Sequence, residues 1–182
     1  MSATATPPRV TRGSTIPVAR DAKVTIRPIE SSDADGILAF YAALSPRARY
    51  ARFLGICPAI DPTTARRFAA VDHEQRDGVV AVLSHAGRDD GAIVGHVCME
   101  ADGSGAEEVA FAVADELQGR GIGTALMDAA VLSARRRGIR RLVGTTFGTN
   151  IPMRRVAFGA GPHVTVHQQA DGIEEFVIDI AA

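Results

Sequence analysis

Residues 108–138 read EVAFAVADELQGRGIGTALMDAAVLSARRRG. The apolar run Val109 to Ala114, bounded by Glu108 and Asp115, has the length and composition of a strand. Four residues later comes Gln118-Gly119-Arg120-Gly121-Ile122-Gly123-Thr124. From Thr124 to Arg137 there is neither proline nor glycine, and Ile122, Leu126, Ala129 and Ala130 recur at helical spacing. Arg135, Arg136 and Arg137 fill the last turn, and Gly138 ends the helix. The unit is strand, glycine-rich turn, helix. Glycines at a helix start let unpaired backbone N–H groups come close to a ligand at the positive end of the helix dipole. Such a turn suits an anion, most naturally a phosphate.

Two common phosphate motifs do not fit. A P-loop requires a Gly-Lys-Ser/Thr ending, which is missing. A dinucleotide fingerprint requires a third glycine where Thr124 stands, and an acidic residue about 20 positions on, where Arg140 and Arg141 lie. What remains is Gln118-x-x-Gly121-x-Gly123 after a strand that starts near Glu108. This combination resembles the acetyl-CoA-binding motif of the GNAT superfamily of N-acetyltransferases.

Composition sets limits around that stretch. The chain has 182 residues, 46% hydrophobic, with a formal charge of -1, which fits one domain with a sizeable core. No positive excess points to nucleic acid or to an anionic membrane surface, and no apolar run approaches a membrane span. No signal-peptide pattern opens the chain, and Cys57 and Cys98 form no CxxC, so the expectation is a cytoplasmic protein without a metal. Of 20 basic residues only Lys23 is a lysine, which leaves little scope for self-acetylation.

Residues 1–22, rich in Ser, Thr, Pro and Arg, are expected to be a flexible tail. Residues 23–182 are expected to form one domain. Its elements are a strand over Val24 to Ile29, then a helix capped by Ser32 with Ile37, Phe40 and Leu44 buried. Helical pieces follow over Arg47 to Leu54 and Thr63 to Ala70. Strands follow over Val79 to Leu83 and Ala92 to Glu100, with a turn at Gly87 to Gly91 between them. After the long helix come a strand over Ile139 to Thr146, a helix from Asn150 to about Phe158, and a hairpin of Val164 to Gln168 with Ile173 to Ile180 around Asp171-Gly172.

That order is also the order of the GNAT fold, and the resemblance spans residues 24–180. It implies an α/β (α+β) domain with a mixed, mostly antiparallel central sheet flanked by helices. Val24 to Ile29, Leu44 to Phe53, Val71-Asp72-His73 and Asn150-Ile151-Pro152-Met153 are most similar to bacterial protein lysine acetyltransferases of the Pat type. Relatives of that type often carry a fused regulatory unit. With 22 residues before the first expected strand, control by cyclic nucleotide is not expected here.

The resemblance implies acetyl-CoA as acetyl donor and an amine acceptor. A protein lysine, on a substrate such as an acyl-CoA synthetase, is favoured over a small-molecule amine or a non-catalytic acyl-CoA-binding sensor. It assigns Glu108 as general base. It places the pantetheine arm along Phe111, Ala112 and Val113, and the pyrophosphate on Gln118, Gly119, Arg120, Gly121, Ile122, Gly123 and Thr124. Asn150 matches the polar residue near the pantetheine, and Arg154 or Arg155 would reach the nucleotide end. Strand parity puts Glu108 with the small Ala110 and Ala112, leaving room for a substrate. The bland alternative is a solvated strand entrance made by Glu107 and Glu108. Arg135 to Arg137 read as surface residues complementing the helix dipole. His96 and Cys98, on the neighbouring strand, read as packing residues.

Two departures from the family pattern stand out. Many GNAT enzymes carry a tyrosine seven residues after the asparagine, as acid for the leaving thiolate, but position 157 is alanine. The usual Gly-Phe is Gly161-Pro162.

Overall fold

The computed structural model describes residues 14–57, 59–85, 91–161 and 163–180. Most of the Gly87–Gly91 turn, residue Pro162 and residues 1–13 of the expected tail lie outside them.

Among the described residues the strands are β1 (Thr15–Ala19), β2 (Ala22–Pro28), β3 (Arg76–His85), β4 (Ala92–Ala101), β5 (Glu107–Val113), β6 (Arg141–Phe147), β7 (Val164–Gln168) and β8 (Ile173–Asp179). The helices are α1 (Ala34–Ala43), α2 (Pro46–Phe53), α3 (Pro62–Ala69), α4 (Ile122–Arg136) and α5 (Ile151–Gly159). One sheet runs β1-β2-β3-β4-β5-β6-β8-β7, antiparallel throughout except for β5 and β6. The α/β class and the mostly antiparallel sheet are as expected.

β1 was not expected. It falls within the stretch read as a tail, because TIPVA is short and carries Pro17, which suits only an edge. It pairs antiparallel with β2 at Ile16–Val24 and Thr15–Thr25. Ser32 does not cap α1. A 3-10 turn over Ser31–Asp33 precedes the helix, and the Asp33 carboxylate instead accepts the Glu30 N–H at 2.8 Å.

The helix starts follow local chemistry. Pro46 opens α2, with Ser45 Oγ accepting the Ala48 N–H at 3.1 Å. Pro62 opens α3, with Asp61 accepting the Thr64 N–H at 2.7 Å. The helices cover both faces of the sheet. Tyr41 of α1 packs on His96 and Phe68 on one face. On the other, α4 sinks Leu126, Met127, Ala130 and Ala134 into the core. The close approach of α4 depends on Gly95, where a Cβ would sit 3.0 Å from Leu126 Cδ1.

Candidate active site

β5 and β6 share only two register pairs, Glu107–Leu142 and Glu108–Val143. Beyond them the strands part. β5 continues to Val113 against β4 alone, and β6 continues to Phe147 against β8 alone. A wedge opens between them. The Ala114 N–H bonds back to Val94 on β4, at 2.8 Å. By strand alternation the main-chain groups of Phe111 and Val113 face the wedge, whereas those of Ala112 face β4. Gln118 Nε2 donates to the Val113 carbonyl at 3.1 Å, which ties the following loop to this open edge.

The loop delivers the chain to α4 through two left-handed glycines, Gly119 (φ +74) and Gly121 (φ +84). A Cβ at either would meet nothing within 4 Å, so backbone conformation, not crowding, calls for glycine. Gly121 is the N-cap of α4, and among the described residues no side chain caps the helix. The first intrahelical bond is Ala125 N–H to Gly121 C=O, at 3.0 Å. The N–H groups of Ile122, Gly123 and Thr124 are therefore left for solvent or an anion. Gly123 lies between Val156 of α5 and Phe111 of β5, each within 4 Å of its Cβ position. Helix start, open strand edge and α5 thus meet in one place.

Glu108 is exposed, on the sheet face shared with Ala110, Ala112, Cys98 and His96. α2 lies over that face. From it, Tyr50 stacks on Phe147 of β6, with ring centroids 5.2 Å apart and planes 7° from parallel. Arg52 Nη2 donates to Cys98 Sγ at 2.9 Å, and its guanidinium lies 5.0 Å from the Phe53 ring centroid. Burial works against the charge on Arg52, but Tyr41, Cys98 and Glu108 together hold its pKa above the ordinary value. Tyr50, Arg52 and Phe147 were not singled out from the sequence. The available signal was α2 itself, a helix with three arginines and no acid.

Several expected site residues have other partners in the fold. Arg120 Nη1 donates to the Val18 carbonyl at 2.6 Å, so its guanidinium reaches β1. Asn150 caps α5, accepting the Met153 N–H at 3.2 Å. Arg154 Nε lies 3.2 Å from the buried carboxylate of Glu174.

Glu107 is not solvated: it is fully buried and paired with Arg137. Arg137 is correspondingly not a surface residue, since its Nε also lies 3.5 Å from buried Asp77. Nor is His96 placed to act as a base. Its ring is fully buried, Nδ1 lies 3.1 Å from the Tyr41 hydroxyl, and Nε2 has no partner among the described residues. Burial, with Arg52 nearby, pushes its pKa down to about 3, while burial pushes Tyr41 up to about 12. Ala157, where a tyrosine acid would stand, is buried.

The arrangement suits an elongated ligand with an anionic end on the α4 start and an amide-bearing arm along β5. Its reactive end would come to rest near Glu108 and α2. No helix among the described residues is long and apolar enough to cross a membrane, and no cluster of three potential metal ligands occurs among them.

Known proteins share this architecture. The sequence pattern of the family described as "Acetyltransferase (GNAT) family" matches residues 49–159. An acetyltransferase of Pseudomonas aeruginosa is 31% identical over 140 residues, 76% of this chain and 74% of that one. The GNAT domain of S. lividans PAT superposes with a TM-score of 0.75 at 30% identity, covering 86% of this chain and 90% of that one. A GNAT superfamily phosphinothricin acetyltransferase from Sinorhizobium meliloti, in complex with AcCoA, gives a TM-score of 0.67 at 20% identity over 86% of this chain and 88% of that one. At that identity the likeness concerns the fold alone.

Proposed function

The chain belongs to the acetyltransferase (GNAT) family, which transfers acetyl groups from acetyl-CoA, and from that premise we propose that its acceptor is a protein lysine side chain, deprotonated by Glu108. The observation that carries the reading is the wedge between β5 and β6, which leads from the uncapped start of α4 to the exposed carboxylate of Glu108.

The bound thioester supplies the acetyl group. The N–H groups of Ile122 to Thr124 and the left-handed loop hold the pyrophosphate. The open edge at Phe111 and Val113 takes the pantetheine amides as a further strand would, and an N–H on it polarises the thioester carbonyl.

A lysine ammonium of pKa about 10.4 is only about one part in a thousand neutral at pH 7, so removal of its proton is a needed step. Glu108 takes that proton. The freed nitrogen bonds to the carbonyl carbon as the carbon–sulfur bond breaks, and the electron pair leaves on sulfur. A thiolate of ordinary pKa near 8.5 takes its proton from water, which suits a chain with alanine at position 157. Arg52, whose charge interacts with Glu108, places a fixed cation beside the acceptor, which favours its neutral form.

A protein acceptor is supported by the resemblance of Leu44 to Phe53, Val71-Asp72-His73 and Asn150 to Met153 to Pat-type protein lysine acetyltransferases. It is also supported by the exposed side chains of Tyr50 on α2 and Ile56 just beyond it. The test is release of free CoA thiol with purified acyl-CoA synthetases and with small amines, with mass spectrometry of the acceptor. Turnover on a synthetase lysine is the expected result. Turnover on small amines alone would move the reading to a small-molecule acetyltransferase, and binding without turnover would move it to a sensor.

A further inference from the structure

A second cavity, of about 400 Å³, opens between the end of β2, the loop before β3 and the last turns of α4. None of its lining residues belongs to β5, α5 or the loop before α4. Ser133, on its wall, is eleven residues along α4 from Ile122, a separation of about 16 Å.

Its lining is apolar at Ile26, Val79 and Leu132 and carries Arg136, Arg137 and His73. Arg27 also borders it, with its side chain turned by strand alternation to the opposite sheet face, beside Asp33. Two acidic residues also line it, Asp77 and Glu30. Asp77 is almost wholly buried and accepts from Gly78 N–H at 2.7 Å and from Ser133 Oγ. It also lies 2.8 Å from His73 Nδ1. Glu30 is exposed, and its main-chain carbonyl accepts the Asp33 N–H at 2.9 Å in the turn before α1. Among the cations, Arg27 is held by Asp33 at 2.7 Å and Arg137 by Glu107. Arg136 is exposed, and its side chain makes no hydrogen bond among the described residues.

His73 is set deliberately. Its backbone is left-handed (φ +58), a conformation that costs energy for a residue with a side chain. The Asp72 carboxylate pins this turn by accepting three N–H groups, of Glu74, Gln75 and Arg76, each at 2.9 Å. With Nδ1 committed to Asp77, the opposite ring nitrogen remains for a ligand.

We propose that this cavity is a second binding site, for a small organic anion. The apolar body of the ligand lies on Ile26, Val79 and Leu132, and its charged head lies between Arg136 and His73. The site is independent of the acetyl-CoA wedge and does not rest on the acetyltransferase reading.

The test is an amide NMR titration of the intact chain, with and without saturating CoA, using hexanoate, benzoate and inorganic phosphate as probes. The carboxylates are expected to cause saturable shifts in residues 26–30, 73–79 and 129–137, with Kd of about 1 mM or below and phosphate at least about tenfold weaker. Arg136→Glu, an exposed substitution that leaves folding and CoA affinity unchanged, should weaken the carboxylates at least about tenfold, and His73→Ala should also weaken them. Four results would overturn the proposal: no saturable shifts, shifts confined to residues 114–124, equal binding of phosphate, or full binding by Arg136→Glu. Loss of CoA binding with the carboxylate shifts intact would count against the acetyltransferase reading only.

Discussion

The guanidinium of Arg137 closes on the carboxylate of Glu107 through both terminal nitrogens, Nη1 to Oε1 and Nη2 to Oε2, the latter at 2.7 Å. The pair joins the end of α4 to the first residue of β5, next to Glu108, and Glu107 has no exposure to solvent. A buried carboxylate without its partner is costly. Arg137→Met is therefore expected to destabilise the chain by about 3–5 kcal/mol in urea unfolding, and Glu107→Leu with Arg137→Met to recover much of the loss. A shift under about 0.5 kcal/mol for the single variant would return Arg137 to an ordinary surface role.

The two adjacent glutamates should separate cleanly in kinetics. Glu108 is exposed above the wedge, whereas Glu107 is sealed beneath it. Glu108→Gln is expected to lower turnover at least about tenfold while acetyl-CoA affinity by calorimetry stays within about twofold, with no change in unfolding. Unchanged turnover removes Glu108 as the base.

His96 makes stability depend on pH. Burial depresses its pKa to about 3, while an unfolded histidine titrates near 6.5. Between these values the unfolded chain binds the extra proton, so this contribution is complete above about pH 6.5 and is lost as the pH falls. The slope is about 1.4 kcal/mol per pH unit. Asp33 has its pKa lowered, because its bonds to Arg27 and Glu30 outweigh burial. Its stabilising contribution is lost only as the pH falls below the ordinary carboxylate range of about 4, so the window from about 4.5 to 6.5 isolates the histidine. Denaturant midpoints measured across that window should fall for the native chain and flatten in His96→Phe.

Gly121 sits at φ +84 with open space where a Cβ would be. Gly121→Ala is expected to cost about 1–2 kcal/mol in strain, or to shift the loop to relieve it. Either way the N–H groups at the start of α4 move, and acetyl-CoA affinity should drop at least about tenfold by calorimetry. Arg120→Ala should have a much smaller effect, because that guanidinium is bound to Val18.

The parts of the fold that could be read in the sequence were those governed by nearest neighbours. The loop glycines, the proline starts of α2 and α3 and the glycine stop after Arg137 each act within one turn of chain. The class and the succession of elements from β2 onward were legible because the β5–loop–α4 unit carries so specific a pattern. Contacts set by distant chain were not legible. Glu107 and Arg137 are 30 positions apart, and parity along β5 says which face Glu107 takes but not that α4 brings a cation to it. Arg120 and Val18 are 102 apart, and β1 itself is a five-residue edge strand with a proline. Arg154 was read toward a nucleotide because nothing in its own helix shows that Glu174 lies buried beside it.

The wedge also divides the sheet mechanically. Five strands lie on one side and three on the other, and β5 and β6 are stitched together at one end, through Glu107–Leu142 and Glu108–Val143. The Tyr50–Phe147 stack, reaching from α2 to the far tip of β6, spans the gap like a strut. A guest chain lying in that seam would rivet the two plates along their length. The rigidity of this protein is thus partly borrowed from whatever it carries, and the empty form should breathe along one predictable fold line.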